Sequence, residues 1–270
     1  MSARGRVYAI VAACAAGAAA AVVAITAVTH EDVPAPAGPR SGKPPFAVDS
    51  TQPPGLVEAV RAAMRSWPEG TVPRLRALAE ESPRSAFVRL NLGLALFWVR
   101  DNAGAAREWR VAARVQPDTP SAVRAQDLLH PRSPPGLPFF VPEDDLASPA
   151  DRELRRGLML QRAGRPDSAE RAFAAAARSA PDDPEAQVAA AVSRFRKDRP
   201  ERGFSALGPL VRRFPRAQTV RFHLGLLSIW INDFAHARRQ LQLAKATAPD
   251  TRLGREANRL LNSLMNAGTG

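Results

Sequence analysis

The chain has 270 residues, of which 38 are Lys or Arg and 26 are Asp or Glu, so its formal net charge is +12. A single Cys excludes an intramolecular disulfide framework and a Cys-rich zinc site, and four His residues leave little for metal chemistry. The 52 Ala residues, together with abundant Leu and Arg, argue against an all-β fold.

The first element in chain order is an apolar run over residues 7–28, which contains no charged side chain in 22 residues. This length is enough to cross the hydrocarbon core of a bilayer as a helix. Arg4 and Arg6 precede the run, and positive residues stay on the cytoplasmic side. The sequence therefore predicts a cytoplasmic tail at 1–6, a single-pass anchor at 7–28 and an extracytoplasmic folded part.

Three alternatives concern the same N-terminal region. Ala35-Pro36-Ala37 has the small-x-small form of a signal-peptide cleavage site, so secretion after cleavage is the alternative localisation. The stretch from Val11 to Cys14 resembles a lipoprotein box, although the apolar run continues well beyond Cys14. Small residues at every fourth position could pair two anchors in a homodimer: Ala9, Ala13, Gly17 and Ala21.

Residues 29–54 are rich in proline, with seven prolines between positions 34 and 54. Such a segment buries little apolar surface and favours extended conformations. We expect it to be a linker that holds the folded part away from the membrane.

A long internal duplication follows the linker. Residues 88–98 read VRLNLGLALFW and residues 220–230 read VRFHLGLLSIW, at an offset of 132 residues. Further matches at the same offset extend the duplication, so that residues 52–130 recur as 184–262. The matched positions are spread over several elements, which indicates that a whole structural module is repeated.

A shorter period of 34 residues runs inside the duplication, with small residues at Gly157, Ala191 and Gly225 and a later series of prolines at 181, 215 and 249. This pattern resembles the tetratricopeptide repeat family, in which small residues let two helices approach closely and a proline ends the second helix. The resemblance implies an all-α helical solenoid of four to five helix-turn-helix units. Four units match and a fifth is degenerate: 86–119, 150–183, 184–217, 218–251 and 52–85.

Together these observations predict two capped modules. The first covers 55–130 and ends with a capping helix, and the second covers 150–266 and ends likewise. Within the third matching unit, Gly208-Pro209 should kink or shorten the second helix. Between the modules lies a Pro-rich insert, 131–149, and we expect its apolar side chains to order it by packing onto a helical surface: Leu137, Phe139, Phe140 and Val141.

In the resembled family, ligands bind along the face built by the first helix of each unit. The resemblance carries this role to unit positions 2, 5, 9, 12 and 13, which here include Gln161 and Glu185. Positions 5 and 9 are apolar in every matching unit and should be core. The groove candidates are aromatic, apolar or Arg side chains, all at positions 12 and 13: Phe97, Trp98, Arg162, Phe195, Arg196, Ile229 and Trp230. The alternative is that Trp98 and Trp230 pack between units or against the insert.

The positive charge is concentrated in the second module, because residues 150–270 carry 22 basic and 12 acidic side chains. This excess favours an alternative function, a structural subunit that binds anionic polymer or lipid headgroups. Nucleic acid is not an expected partner, since the module is predicted to lie outside the cytoplasm.

The sequence offers little for catalysis. It contains no Gly-rich phosphate loop, no paired-His helix and no Gly-x-Ser-x-Gly turn. His223 corresponds to Asn91 in the duplicate, and a general base is rarely replaced by Asn. We therefore predict a non-catalytic scaffold without cofactor or metal, which binds a peptide or helix of another envelope protein.

Overall fold

The computed structural model describes residues 40–49, 51–143 and 151–266. These residues form helices joined by turns and loops, with one isolated bridge between Arg196 and Arg199 and no strand, which confirms the all-α class. The predicted tail at 1–6 and anchor at 7–28 lie outside the described residues, as do the cleavage and lipoprotein sequences. Among the described helices, none combines the length and apolar character needed to cross a membrane.

The described residues divide into two compact regions, 40–131 and 132–266. Each region contains one predicted module together with the non-helical segment that precedes it. The helices of the first region are α1 Pro54–Arg65, α2 Thr71–Glu81, α3 Ala86–Trp98, α4 Asn102–Val115 and α5 Pro120–Leu129. Each of these helices packs against the next one along the chain, and α5 also packs against α3.

Polar caps and prolines determine where these helices begin. The side chain of Ser85 accepts a hydrogen bond from the backbone N–H of Val88, and Asp101 caps α4 in the same way through Gly104. Thr119 caps α5, whose first residue, Pro120, needs no hydrogen-bond acceptor. These caps satisfy backbone donors that a helix start leaves without a partner.

The second region contains a longer series of helices: α6 Arg152–Arg162, α7 Pro166–Ser179, α8 Pro184–Val192, α9 Glu201–Leu207, α10 Leu210–Arg213, α11 Gln218–Trp230, α12 Phe234–Thr247 and α13 Arg252–Asn266. As in the first region, helices that follow one another in sequence pack side by side, and α11 also packs against α8 and α13. The helices of the pairs α6–α7 and α11–α12 therefore pack against each other, as those of α3–α4 do.

Glycines on the first helices explain how closely the second helices approach. A Cβ atom built on Gly157 would lie only 2.4 Å from the ring of Phe173 on α7. Gly93 stands in the same relation to Trp109, at 2.3 Å, and Gly225 to Leu241, at 2.7 Å. No side chain fits at these distances, so the small residue that recurs with the 34-residue period is required by packing.

The second helix of the third matching unit is interrupted, as the sequence predicts. Helix α9 ends at Leu207 and α10 begins at Leu210. Gly208 and Pro209 between them keep α-helical backbone angles, but a proline nitrogen has no hydrogen to donate to the preceding turn. The interruption is therefore a loss of hydrogen bonding rather than a change in backbone direction.

Each region has its own apolar core. In the first, the most completely buried large side chains are Leu75, Phe87, Leu90, Leu92 and Leu94. In the second they are Phe140, Phe173, Phe195, Phe222, Leu207, Leu227 and Ile229. The apolar residues at unit positions 5 and 9 are buried in all four matching units, which confirms that they are core: Leu90, Leu94, Leu154, Leu158, Val188, Val192, Phe222 and Leu226.

Candidate functional site

In each region a non-helical segment lies across the face formed by the first helices. We call residues 40–49 the first strap and residues 132–143 the second strap. Neither contains helix or strand, and both contain prolines that cannot donate backbone hydrogen bonds. The insert between the predicted modules packs onto the helical core through Leu137, Phe140 and Val141, as expected, whereas Phe139 is half-buried and is not part of that cluster.

The first strap is held by the side chain of a buried amide on α3. Asn91 accepts a hydrogen bond from the backbone N–H of Ala47 at 2.8 Å and donates one to the carbonyl of the same residue at 3.3 Å. Its Nδ2 also donates to the carbonyl of Phe87, 3.0 Å away. One side chain thereby satisfies both backbone groups of a strap residue, much as a neighbouring strand would.

Arginine side chains bind two further points of the first strap, and the indole N–H of Trp67 donates to the carbonyl of Gly42. The backbone N–H of Arg40 donates to the carbonyl of Trp98, and its Nε donates to that of Phe97, at the end of α3. The Arg40 guanidinium also lies 4.0 Å from the centroid of the Phe97 ring, within cation–π range. Arg124 on α5 donates to the carbonyl of Pro45, and burial lowers the pKa of its guanidinium.

The end of the first strap is fixed by a carboxylate. Asp49 accepts hydrogen bonds from the hydroxyl and the backbone N–H of Thr51, at 2.6 and 3.0 Å, and from Gln52. Burial acts to raise the pKa of Asp49, but these hydrogen bonds outweigh it and lower the pKa below its usual value. The turn that leads into α1 is therefore stabilised by the ionised carboxylate.

The second strap is bound through its backbone by side chains from three helices. Gln161 on α6 accepts from the N–H of Phe140 at 3.1 Å and donates to its carbonyl at 3.3 Å. His223 on α11 accepts from the N–H of Val141 at 2.9 Å. Glu185 on α8 accepts from the N–H of Glu143 at 2.6 Å. The face that these first helices share therefore binds a backbone through four hydrogen bonds.

Phe140 is the apolar anchor of the second strap and is only 1% exposed. Its ring stacks on the imidazole of His223 with centroids 5.3 Å apart, and it meets Phe173 edge to face at 5.7 Å. Leu137 and Val141 pack against the same core but remain partly accessible. Phe140 is therefore the largest fully buried side chain of this strap, and three prolines are buried with it: Pro134, Pro138 and Pro142.

His223 is held in its neutral form. Its Nδ1 lies 2.7 Å from the carbonyl of Thr219, which can only accept, so the ring proton is on Nδ1 and Nε2 is free to accept from Val141. The residue is fully buried, and burial lowers its pKa from 6.5 to about 4, while the Thr219 hydrogen bond acts in the opposite direction. The imidazole therefore serves as a hydrogen-bond acceptor for a backbone.

The two straps run in the same direction along equivalent helices. The first begins at the end of α3, beside Trp98, and reaches Asn91 near the middle of that helix. The second begins near Asn232, just after α11, and reaches His223 near its middle. Asn91 and His223 are equivalent positions of the duplication. The same location on the helix therefore contacts a strap in both regions.

Three of the predicted groove residues are part of the core. Phe195, Ile229 and Trp230 are between 0 and 3% exposed. Helix α8 stops at Val192, and the turn that follows brings the ring of Phe195 edge to face with Trp230 at 6.1 Å. The expectation that these side chains line an accessible surface is corrected: they pack between helix pairs.

Arg196 lies in a network of ion pairs. Its guanidinium contacts Asp167 at 2.7 Å and Glu170 at 2.8 Å, both on α7, and donates to the carbonyl of Ser193. Arg202 also reaches Glu170, at 3.4 Å. These contacts tie the turn after α8 to the preceding helix pair, so Arg196 has a structural role.

The remaining predicted residues lie at the ends of first helices. Phe97 is half-buried beneath Arg40, and Trp98 is half-buried beside it. Arg162 is exposed and follows Gln161 directly on α6. In the described part of the chain, the indole N–H groups of Trp98 and Trp230 are both buried without a hydrogen-bond partner.

Sequence reasoning did not single out Asn91 and His223 as strap-binding residues. The signal was present, because both are polar residues inside otherwise apolar helices and both stand at the same position of the duplication. Gln161 and Glu185 lie at positions that the family resemblance does associate with ligands. The side chains of these four residues form hydrogen bonds to the backbone of a strap, and a pattern of apolar residues does not indicate such bonds.

Within residues 40–49, 51–143 and 151–266, no group of three or more His, Cys, Asp or Glu side chains is placed to hold a metal ion. A search against protein-family models gives no match, and no curated protein matches the chain. The function is therefore inferred from the structure of the site, in which the first helices of the helix pairs bind the backbone of a short non-helical segment.

Proposed function

We propose that the protein is a non-catalytic scaffold of the tetratricopeptide type, which binds a short non-helical segment of a partner protein on the first helices of its second module. The observation that carries the proposal is the second strap, whose backbone accepts from and donates to side chains on α6, α8 and α11. Hydrogen bonds to a backbone depend little on ligand sequence, so the same face suits a segment from another chain.

The helix packing supports assignment to this type of solenoid. Close approach at Gly157 and Gly225, prolines after the second helices, and α5 and α13 as closing helices are the features that the 34-residue pattern implies. The apolar run at 7–28 supports an anchored protein whose modules lie outside the cytoplasm, where the partner would be another envelope protein.

Site-directed photocrosslinking in cells tests the proposal. A benzoylphenylalanine at Arg162, the exposed neighbour of Gln161, is expected to crosslink a defined segment of one partner protein. The same group at Leu243, which is exposed on α12, serves as the control position. The crosslink from position 162 should weaken in a Gln161→Ala background and persist with Gln242→Ala, a matched change at an exposed position. Identical products from both crosslinking positions would contradict the proposal.

A second candidate function rests on a separate feature. A pocket of about 320 Å³ between α6 and α7 is lined by Arg156, Arg165 and Arg171, together with Glu153. This cluster favours binding of an anionic polymer or lipid headgroup by the second module. Binding of this kind should weaken steeply between 50 and 500 mM salt, whereas binding through the strap face should change little. Sedimentation with anionic vesicles at both salt concentrations distinguishes the two.

A further inference from the structure

We propose that the second strap is a displaceable occupant of the binding face, and that the partner segment binds where residues 134–143 now lie. This inference rests on the proposed function and adds the chemistry of the ligand. The ligand is a short, non-helical, proline-containing segment with one aromatic side chain. Its aromatic ring replaces that of Phe140, and its backbone takes the hydrogen bonds of Gln161 and His223.

The hydrogen bonds that the first helices make to the strap are clustered, which makes displacement feasible. Phe140 is its one fully buried large side chain, and three buried prolines add apolar contacts that a proline-containing partner segment would replace: Pro134, Pro138 and Pro142. Leu137, Phe139 and Val141 are only partly covered. The four hydrogen bonds from the strap backbone to α6, α8 and α11 involve three consecutive or nearly consecutive residues, 140, 141 and 143. A partner segment of similar length can therefore reproduce the whole set of contacts.

The start of the strap leaves one donor unsatisfied. Lys197 donates to the carbonyl of Pro134 and lies 5.4 Å from the ring of Trp230, whose buried indole N–H has no partner among the described residues. A buried donor without an acceptor is unfavourable. A partner segment that places a carbonyl at this nitrogen gains a hydrogen bond that the strap does not make, which favours exchange.

Competition with the strap determines the measured affinity. Because the strap is part of the same chain, its effective concentration at the face is high, and the face is open for only a fraction of the time. The apparent dissociation constant for a partner segment is the intrinsic constant divided by that fraction. Weakening the strap without changing Gln161 or His223 should therefore strengthen binding of a segment added in trans.

The experiment uses the full chain in detergent micelles and a fluorescent peptide with the sequence of residues 134–143. Anisotropy titrations compare the wild type with Phe140→Ala, which removes the anchor of the strap but none of the residues of the face. We expect the variant to bind the peptide at least ten-fold more tightly than the wild type. The double variant Phe140→Ala/Gln161→Ala should lose this gain, and a peptide with Ala in place of the residue corresponding to Phe140 should not bind.

A second variant covers the case in which Phe140→Ala disturbs folding. Val141→Pro removes the backbone N–H that donates to His223 and leaves Phe140 in place, so it should also raise the affinity for the peptide. The helical content measured by far-ultraviolet circular dichroism reports whether each variant is folded. Equal affinity of the wild type and both folded variants would overturn the inference.

The outcome is separable from that of the proposed function. Tight binding of the strap peptide to Phe140→Ala, with no specific crosslink from position 162 in cells, supports the displaceable strap and contradicts the partner-binding function. A specific partner crosslink from position 162, without any gain in peptide affinity in the folded variants, supports the function and overturns the displaceable strap.

Discussion

The two regions bind their straps at equivalent positions with different chemistry. In the first, Ala47 binds Asn91, the ring of the residue before it, Phe46, is only half-buried, and further contacts come from Arg40 and Arg124. In the second, the anchor is the large ring of Phe140, stacked on His223. The duplicated helices present a side chain that binds backbone at the same point, while the side chains of the strap differ. The helices therefore define where a segment lies, and the segment supplies the specificity.

This difference separates two contributions to the binding of a segment, namely hydrogen bonds to its backbone and burial of its side chains. Backbone hydrogen bonds from Asn91 or His223 fix the position of the segment without selecting its sequence. The burial of the preceding aromatic ring differs between the straps, because Phe46 is half-buried and Phe140 is fully buried. A change in a strap, or in a residue that binds it, alters one of these contributions in one region, and the other region or a matched residue serves as the reference.

The largest expected effect comes from Phe140→Ala. Removing a fully buried ring should reduce the local stability of the second region by about 4 kcal/mol, because the transfer free energy is lost and a cavity remains. Phe46 in the first strap is only half-buried, and Phe46→Ala should cost about 1 kcal/mol in its own region. Hydrogen exchange measured for α11 and α3 reports the two losses separately. Phe139→Ala is the matched control, and an equal loss from Phe139 and Phe140 would contradict the assigned anchor.

The next largest effect is a dependence on pH that belongs to the second region alone. His223 has a pKa of about 4 in the folded chain and 6.5 when exposed, so the unfolded chain binds a proton that the folded chain excludes. The stability of the second region should therefore fall as the pH decreases from about 6.5 to 4, by about 3 kcal/mol, and this group contributes no pH dependence above that window.

The equivalent position of the first region provides the control for the pH measurement. Asn91 does not titrate, so His223→Asn should remove the additional pH dependence of α11 while α3 behaves as in the wild type. Hydrogen exchange from pH 4 to 7.5, corrected for the intrinsic exchange rate, measures both. If wild type and His223→Asn lose stability equally over this range, another group is responsible.

A smaller effect is expected from Asn91→Ala in the first region. The change leaves the N–H and carbonyl of Ala47 buried without their partner, which should cost about 2 kcal/mol. Asn102→Ala is the matched control, because Asn102 is exposed at the start of α4 and should change stability by less than about 0.5 kcal/mol. Similar exchange rates in α3 for the two variants would show that the strap is not held by Asn91.

The helix pairs could be predicted from sequence because their determinants are local or periodic. Gly157, Gly225 and the interruption at Pro209 each follow from a residue type whose effect is confined to one helix pair. The strap contacts could not be predicted, since they join residues as far apart as Val141 and His223 and depend on polar groups that no period marks. Trp230 could be assigned to the groove or to packing between units, and the structure shows packing, because the turn after the end of α8 brings Phe195 against it.

The smallest expected effect concerns the interruption between α9 and α10. The duplication aligns Pro209 with Ala77, which lies inside the continuous helix α2. Pro209→Ala should restore the N–H that can donate to the carbonyl of Ser205, because Gly208 and residue 209 already have helical backbone angles. We expect α9 and α10 to join into one helix, with a protected amide at position 209.

The net change in stability should nevertheless be within about 0.5 kcal/mol of zero. The new hydrogen bond stabilises the folded chain, but replacing proline gives the unfolded chain more conformations, and the two effects are of similar size and opposite sign. The reciprocal change, Ala77→Pro, has no such compensation, since it removes a hydrogen bond from a helix that is continuous and should cost about 3 kcal/mol. Amide exchange at position 209 and circular dichroism of both variants test this asymmetry. A large gain from Pro209→Ala would mean that the interruption strains the second region, whereas the backbone angles indicate that the chain accommodates it without strain.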